Sequence, residues 1–411
     1  TRPDMVFAMK QYFSSCNHHF GNIFILKKEL FFEYCNFIFP VLQIFLKKVD
    51  FSNRSDYQKR LFVSERLTGI FFEFLKIRGF RIDEVPVALL ETPFEQEIPE
   101  KAFSTDSVNC VFSVDDRYLP KLAVCLTSLL KHSSPGYNYD FVILHSGLNE
   151  GLIAQFLQNF PKRNNVSIRF LDITPSTLLI NKKDLYIEIS VTVATYYRFF
   201  IQNIFKNYQK VLYLDCDIVV LDDISKLFFY NLEGNYIGAV RDVRENLASK
   251  LRLKVSNNVI WPDYVKNVVR LKDVYDYFQA GVILFDLCKL KEEKVDLLFA
   301  SLHELKRIQT PILSDQDVLN SVFNRKIKYL PTRWNIEWQI LFEFPNYKKL
   351  MSSHDFKSFS EALASPAIIH YASSVKPWNN PNLDLAYHWW VNARNTIYYE
   401  VFIKELCAAP S

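Results

Sequence analysis

Within Lys210 to Leu221 the run KVLYLDCDIVVL loses its apolar character at Asp215 and Asp217, one residue apart, and then resumes. Two carboxylates at the tip of a buried strand are costly to desolvate, so something positive must offset them. A divalent metal is one such partner, and hard oxygen ligands suit Mg2+ or Mn2+. The alternative is a strand-to-loop turn in which the carboxylates cap a helix or meet solvent. The chain has only 9 glycines and contains neither G-x-G-x-x-G nor G-x-x-x-x-G-K-[ST]. The usual backbone cradles for phosphate are therefore missing, and a metal on Asp215 and Asp217 would supply the neutralising charge for a diphosphate instead.

The elements that must position this pair alternate. VNCVFSV (108–114) is a buried strand ending at Asp115 and Asp116, and Leu119, Leu122, Ala123, Leu126, Leu129 and Leu130 mark one helix face. YDFVILH (139–145) is a second strand, Leu152, Ile153, Phe156, Leu157 and Phe160 a second helix, and VSIRFLD (166–172) a third strand. Strand and helix in alternation predict parallel pairing with right-handed crossovers, a doubly wound α/β sheet. Ligands of such sheets bind beyond the carboxyl ends of the strands. Asp115, Asp116, Asp172, Asp215 and Asp217 all fall there.

Residues 1–90 read differently. They are dense in aromatics, and Leu30, Phe31, Tyr34, Phe37 and Ile38, then Leu67, Ile70, Phe71 and Phe74, follow helical spacing. Two helices with one broad apolar face each are expected. Residues 91–107 are acidic, proline-containing and aperiodic, the signature of a linker. The α/β unit then spans 108–345, and 346–411 forms a closing segment with a tail helix.

Bulk properties narrow the function. The 411 residues are 49% hydrophobic and 16% aromatic, a globular composition for one large domain or two. Net charge is +4 with bases and acids interspersed, which argues against a nucleic-acid partner. The 7 cysteines are odd in number and form no Cys-x-x-Cys pair, so a reducing, cytoplasmic setting is expected. The most apolar stretch, Phe31 to Leu46, is interrupted by Glu33, Asn36, Pro40 and Gln43, so neither a bilayer span nor a signal peptide is expected. The chain opens at Thr1 without methionine, in sequence that reads as structured, which suggests an excerpt of a longer protein.

From about Val108 to Trp378 the sequence resembles glycosyltransferase family 8, retaining enzymes of GT-A fold that include bacterial lipopolysaccharide galactosyl- and glucosyltransferases. Six motifs carry the resemblance in order: VFSVDDRYLPKLAVCLTSLL, SVTVATYYRFFI (190–201), KVLYLDCDIVV, YFQAGVILFDL (277–287), SDQDVLN (314–320) and HYASSVKPW (370–378). Residues 1–90 resemble the C-terminal part of another bacterial glycosyltransferase-like domain, through N-x-F-I-x-K-K-E at Asn22 and the S-E-R-L of Ser64 to Leu67.

The resemblance implies transfer of galactose or glucose from a UDP-sugar to a hydroxyl of a surface glycan or glycolipid, such as lipopolysaccharide or capsule. It implies Asp215, Asp217 and His370 as ligands to Mn2+ or Mg2+. Lys376 would steady the leaving diphosphate, and Ser113, Asp115, Arg117, Tyr118 and Cys216 would read the nucleotide. Arg198, Asp242, Gln279 and Ala280 would face the sugar, with an internal salt bridge as the alternative for Arg198. Asp315 and Gln316 would orient the sugar and support an oxocarbenium-like centre. Gln279 stands where the family has Asn and Ser373 where it has Gly. Trp261, Trp334 and Trp338 are candidates to stack on an acceptor or to pack under loops. Trp389 and Trp390 would either join the core or dock peripherally at a membrane surface. Two other classes stay in view: a haloacid dehalogenase-type phosphatase with Asp215 as nucleophile, whose hhhDxDx[TV] pattern the chain satisfies, and a non-catalytic sugar-binding module.

Overall fold

The computed structural model describes residues 3–15, 24–48, 54–83, 96–105, 107–178, 180, 185, 192–256 and 259–408. Asn22, Ser190, Asn257, Asn258 and residues 91–95 of the expected linker lie outside them. The chain divides into two compact units, Thr1–Thr92 and Pro93–Ser411.

Among its described residues the first unit holds three helices, α1 (Pro3–Ser14), α2 (Lys28–Lys48) and α3 (Arg54–Ile77). Tyr34 and Ile38 of α2 and Ile70, Phe71 and Phe74 of α3 bury together, as helical spacing predicts, and Met5, Ala8 and Tyr12 of α1 complete the cluster. Phe31, placed on that face by its spacing, is 45% exposed. A Cβ at Gly69 would collide with the Tyr12 ring, so only glycine lets α1 lie this close to α3. Among the described residues no helix is long and apolar enough to cross a membrane.

Among its described residues the second unit has twelve strands: β1 (Ser107–Ser113), β2 (Asn138–His145), β3 (Val166–Asp172), β4 (Lys210–Leu214), β5 (Ile218–Val220), β6 (Ile237–Arg241), β7 (Lys254–Ser256), β8 (Val259–Ile260), β9 (Phe278–Asp286), β10 (Ile327–Tyr329), β11 (Ile336–Glu337) and β12 (Ile368–His370). Seven form the main sheet in the order β10-β6-β9-β4-β1-β2-β3. The β1, β2 and β3 pairings are parallel, as the alternation of strand and helix requires, and so are β1 with β4 and β10 with β6. β9 runs antiparallel between β4 and β6, a reversal that a nearly continuous apolar run does not announce. Two hydrophobic layers cover the sheet, one including the helix Leu119–His132 and the other the segment Val193–Ile204.

Two departures from regularity serve the site. A second sheet, β11-β12-β5, stands apart from the first, so Asp215 ends a strand of one sheet and Asp217 precedes a strand of the other. In the β6–β9 ladder the register jumps: Ala239 pairs with Ile283 but Val240 with Gln279. This bulge takes Ala280, Gly281 and Val282 out of pairing with β6, which leaves backbone groups to bond side chains.

Residues 96–105, within the expected linker, are held by the sheet. Arg169 and Tyr208 donate to the Glu100 carbonyl at 2.8 and 3.1 Å, and Gln96 accepts from the Ser176 hydroxyl at 2.7 Å. The expected closing segment, 346–411, belongs to the same compact unit as the sheet.

Candidate active site

Asp215, Asp217 and His370 converge: one ligand atom from each lies within 4.8 Å of the others. Asp215 emerges from β4 with its backbone N–H donating to the Gly281 carbonyl at 2.9 Å. Asp217 and His370 are brought together by the second sheet, where β12 pairs antiparallel with β5, His370 opposite Ile218. His370 Nε2 lies 3.2 Å from Asp217 Oδ1 and 3.8 Å from Asp215 Oδ2. Two carboxylate oxygens and an imidazole nitrogen in this arrangement could hold a divalent cation, and that donor set suits Mn2+ or Mg2+.

Gly281 makes room for this convergence. A Cβ there would run into His370 Cε1 and come within 2.7 Å of Asp215 Oδ2. Gly281→Ala is therefore expected to cost about 1–3 kcal/mol from overpacking, measured by urea denaturation, and, if the three residues hold Mn2+, to weaken that binding about tenfold in an Mn2+ titration.

Positive groups balance the carboxylates. Lys376, 7% exposed, donates to Asp217 Oδ2 at 2.6 Å and to the Tyr371 carbonyl at 2.6 Å. Burial alone would raise the Asp217 carboxyl, but Lys376 and then His370 outweigh it and hold the group well below the usual carboxylate range. Arg198 donates from Nη2 to Asp215 Oδ1 at 2.8 Å, from Nη1 to the Ala280 carbonyl at 2.6 Å and from Nε to the Thr195 carbonyl at 3.0 Å. It lies over the Tyr213 ring and 3.1 Å from Asp315 Oδ2. Because its Nε hydrogen points to Thr195, the contact with Asp315 is ionic and not a directed hydrogen bond, and Asp315 Oδ2 makes none. The internal salt bridge considered for Arg198 is thus present. Burial pushes the Asp315 carboxyl up to about 7, with Arg198 pulling down and Asp215 pushing up.

A cleft of about 450 Å3 joins these residues to most of the others expected at the site: Ser113, Asp115, Tyr118, Cys216, Asp242, Gln279, Ala280 and Gln316. Arg117 is not among its lining; it is exposed and paired with Asp115 at 3.2 Å. Asp116 is exposed, and Asp172 is a cap that accepts from the Thr174 N–H and hydroxyl. Tyr118 packs edge-on against Trp378. Gln316 is locked by the protein at both ends, accepting from the Ala280 N–H at 2.9 Å and donating to Asp242 Oδ2 at 2.9 Å.

One wall was not read from the sequence. Glu245, Glu337, Gln339 and Arg244 line the cleft beside Asp242. Glu245 ion-pairs with Arg244, yet burial and then the neighbouring Asp242 push its carboxyl up to about 8. The only signal available was Asp242 three residues before Glu245, a capping spacing: Asp242 Oδ1 accepts from the Glu245 N–H at 2.8 Å. A carboxyl whose folded pKa is raised contributes stability below its unfolded pKa and loses it as pH rises through the folded value. Wild-type stability should fall between about pH 5 and 8 by ~1.4 kcal/mol per unit from this group. Glu245→Gln should flatten that slope, read from denaturation midpoints at pH 5 and 9.

The tryptophans offered as sugar platforms do not serve as such. Trp261, Trp334 and Trp338 are buried, and Trp389 packs against Trp378 and Phe402. Trp390 is half-buried, donates Nε1 to the Pro377 carbonyl and packs edge-on against Trp389.

The order of strands, the paired carboxylates and the distant histidine now meet a wider match: residues 109–381 fit the description "Glycosyl transferase family 8". The chain belongs to glycosyltransferase family 8. The lipopolysaccharide 1,2-glucosyltransferase of Escherichia coli (strain K12) is 26% identical over 73% of this chain and 79% of its own. The General stress protein A of Bacillus subtilis (strain 168) is 25% identical over 66% of this chain and 88% of its own. Among solved structures, the apo WbbM bifunctional glycosyltransferase aligns with a TM-score of 0.66 at 24% identity, covering 99% of this chain and 71% of that one. These structural likenesses show the GT-A fold. Residues 1–76 fit a "Domain of unknown function (DUF4422)". Family 8 membership makes the chain a glycosyltransferase and removes the phosphatase and sugar-binding readings.

Proposed function

We propose that the enzyme moves galactose or glucose from a UDP-sugar to a hydroxyl of a bacterial surface glycan, with retention at the anomeric carbon and with Mn2+ or Mg2+ on Asp215, Asp217 and His370. The observation that carries this is the placement of Lys376 and the three ligands in one cleft with Asp115 and Tyr118, so that nucleotide, diphosphate and sugar have successive stations. Bound metal would supply charge stabilisation to the departing diphosphate.

Lys376 adds a fixed positive charge to the same leaving group. Ser113, Asp115, Tyr118 and Cys216 bind the nucleotide, and Asp242, Gln279, Ala280 and Arg198 border the sugar. Asp315 and Gln316 orient it: the locked Gln316 amide is a poor nucleophile, which favours front-face attack. The bond from anomeric carbon to diphosphate oxygen breaks, the acceptor oxygen bonds on the same face, and its proton passes to the leaving phosphate oxygen. A cytoplasmic setting belongs to the same proposal and rests on the scattered cysteines.

The test is a donor panel. UDP release from UDP-glucose or UDP-galactose should require Mn2+ and rise with a glycan acceptor. Undiminished release in excess chelator, or inertness to both donors with Mn2+ present, would overturn the assignment.

A further inference from the structure

We infer that Gln279 and Asn335 are positioning residues that fix the imidazole of His370 with its Nδ1 protonated and its Nε2 lone pair turned to the metal. The inference rests on the metal reading above and adds how the third ligand is set.

The chain of reasoning starts from a backbone group, whose role as donor is certain. The bulge in β9 leaves the Gly281 N–H to donate to Gln279 Oε1 at 2.6 Å. That oxygen has a second lone pair, and the Asn335 side chain approaches it at 2.7 Å. An acceptor facing Asn335 means that Asn335 presents its Nδ2 there. Its Oδ1 must then face His370 Nδ1, 3.0 Å away. A carbonyl oxygen only accepts, so Nδ1 carries the hydrogen. Nε2, left as an electron pair or a second proton site, points at Asp217 Oδ1 and Asp215 Oδ2.

Without the relay, a metal-free His370 would gain most by placing its one proton on Nε2 against the two carboxylates, which is the tautomer that cannot ligate. Asn335, Gln279 and His370 are 2%, 8% and 1% exposed, so water does not substitute for a broken link. Gln279 is one methylene longer than the Asn that the family has there, and its Oε1 reaches Gly281 and Asn335. Partners that orient a ligating histidine commonly contribute about 10–100-fold to metal affinity.

The test uses substitutions that separate positioning from sugar contact. Gln279→Glu keeps two acceptor oxygens for Gly281 and Asn335, whereas Gln279→Leu and Asn335→Leu remove the link. Mn2+ affinity of the donor-free enzyme, by electron paramagnetic resonance, should fall about 10–100-fold in both leucine variants and be retained in Gln279→Glu. Equal Mn2+ affinity in wild type and folded leucine variants overturns the inference. The 15N shifts of His370 in the wild-type Mg2+-loaded and metal-free protein provide a readout independent of any variant's folding: Nδ1 should be protonated in both, and a histidine protonated on Nε2 alone overturns it. If wild type binds no Mn2+, the metal reading fails by itself while the 15N measurement still decides the relay.

Discussion

Asp217→Asn is expected to abolish measurable Mn2+ binding and to lower sugar transfer by about a thousandfold, since a metal contributes several kcal/mol to stabilising developing charge. The asparagine keeps the shape and an oxygen for Lys376, whose second bond to the Tyr371 carbonyl is untouched. The fold should therefore survive with a modest drop in melting temperature. Asp217 is the right residue to change because Asp215 has other duties, accepting from Arg198 and from the Tyr213 hydroxyl. Among the described residues Asp217 meets only Lys376 and His370 through its side chain. A single-turnover assay beside an Mn2+ titration checks both halves. Full transfer with metal binding lost would separate the two and reject the proposed role of the ion.

Arg198→Met is expected to destabilise the protein by about 3–5 kcal/mol, because it strands two carboxylates that one buried guanidinium holds. Asp315 sits inside the cleft wall at 5% exposure, and Asp215 would lose the guanidinium that donates to its Oδ1. Arg198→Lys should recover little: an ammonium cannot reproduce the fork that spans Asp215, the Ala280 carbonyl and the Thr195 carbonyl. Urea denaturation measures the loss. A deficit under 1 kcal/mol in the methionine variant would mean that the carboxylates find other compensation. With Mn2+ bound the deficit should shrink, since the cation takes over part of the charge on Asp215.

How far the sequence revealed this site depended on the distance over which each signal acts. The strand and helix rhythm from Val108 to Asp172 is local, and β1, β2 and β3 pair as the alternation predicts. Asp215 and Asp217 were visible because charge inside an apolar run is conspicuous, and His370 and Lys376 through a motif that resembles a family's. The antiparallel β9 was not legible, since apolar runs of either direction look alike. Neither was Asn335: nothing in PTRWNIEW distinguishes an amide that touches a histidine 35 residues away. The bulge at Gln279–Ile283 explains why Gln316 and Gln279 are held as they are, and a register jump leaves no mark on composition. For Trp261, Trp334 and Trp338 the sequence left stacking and packing both open, and burial under the chain is the one realised. Glu245 and Glu337 gave no warning because isolated glutamates ordinarily face solvent.

The splitting of the proposed ligands between two sheets also bears on how the chain emerges during synthesis. Among the described residues β5 finds its only strand partner in β12, and Asp217 meets His370 across a separation of 153 residues. A nascent chain can assemble β1 to β4 long before then, but it carries Ile218, Val219 and Val220 as an unpaired apolar edge until the segment containing His370 leaves the ribosome. Such edges recruit other chains. Products cut short before His370 are thus expected to be both inactive and prone to associate, and the same late strand that hides the edge delivers the last ligand.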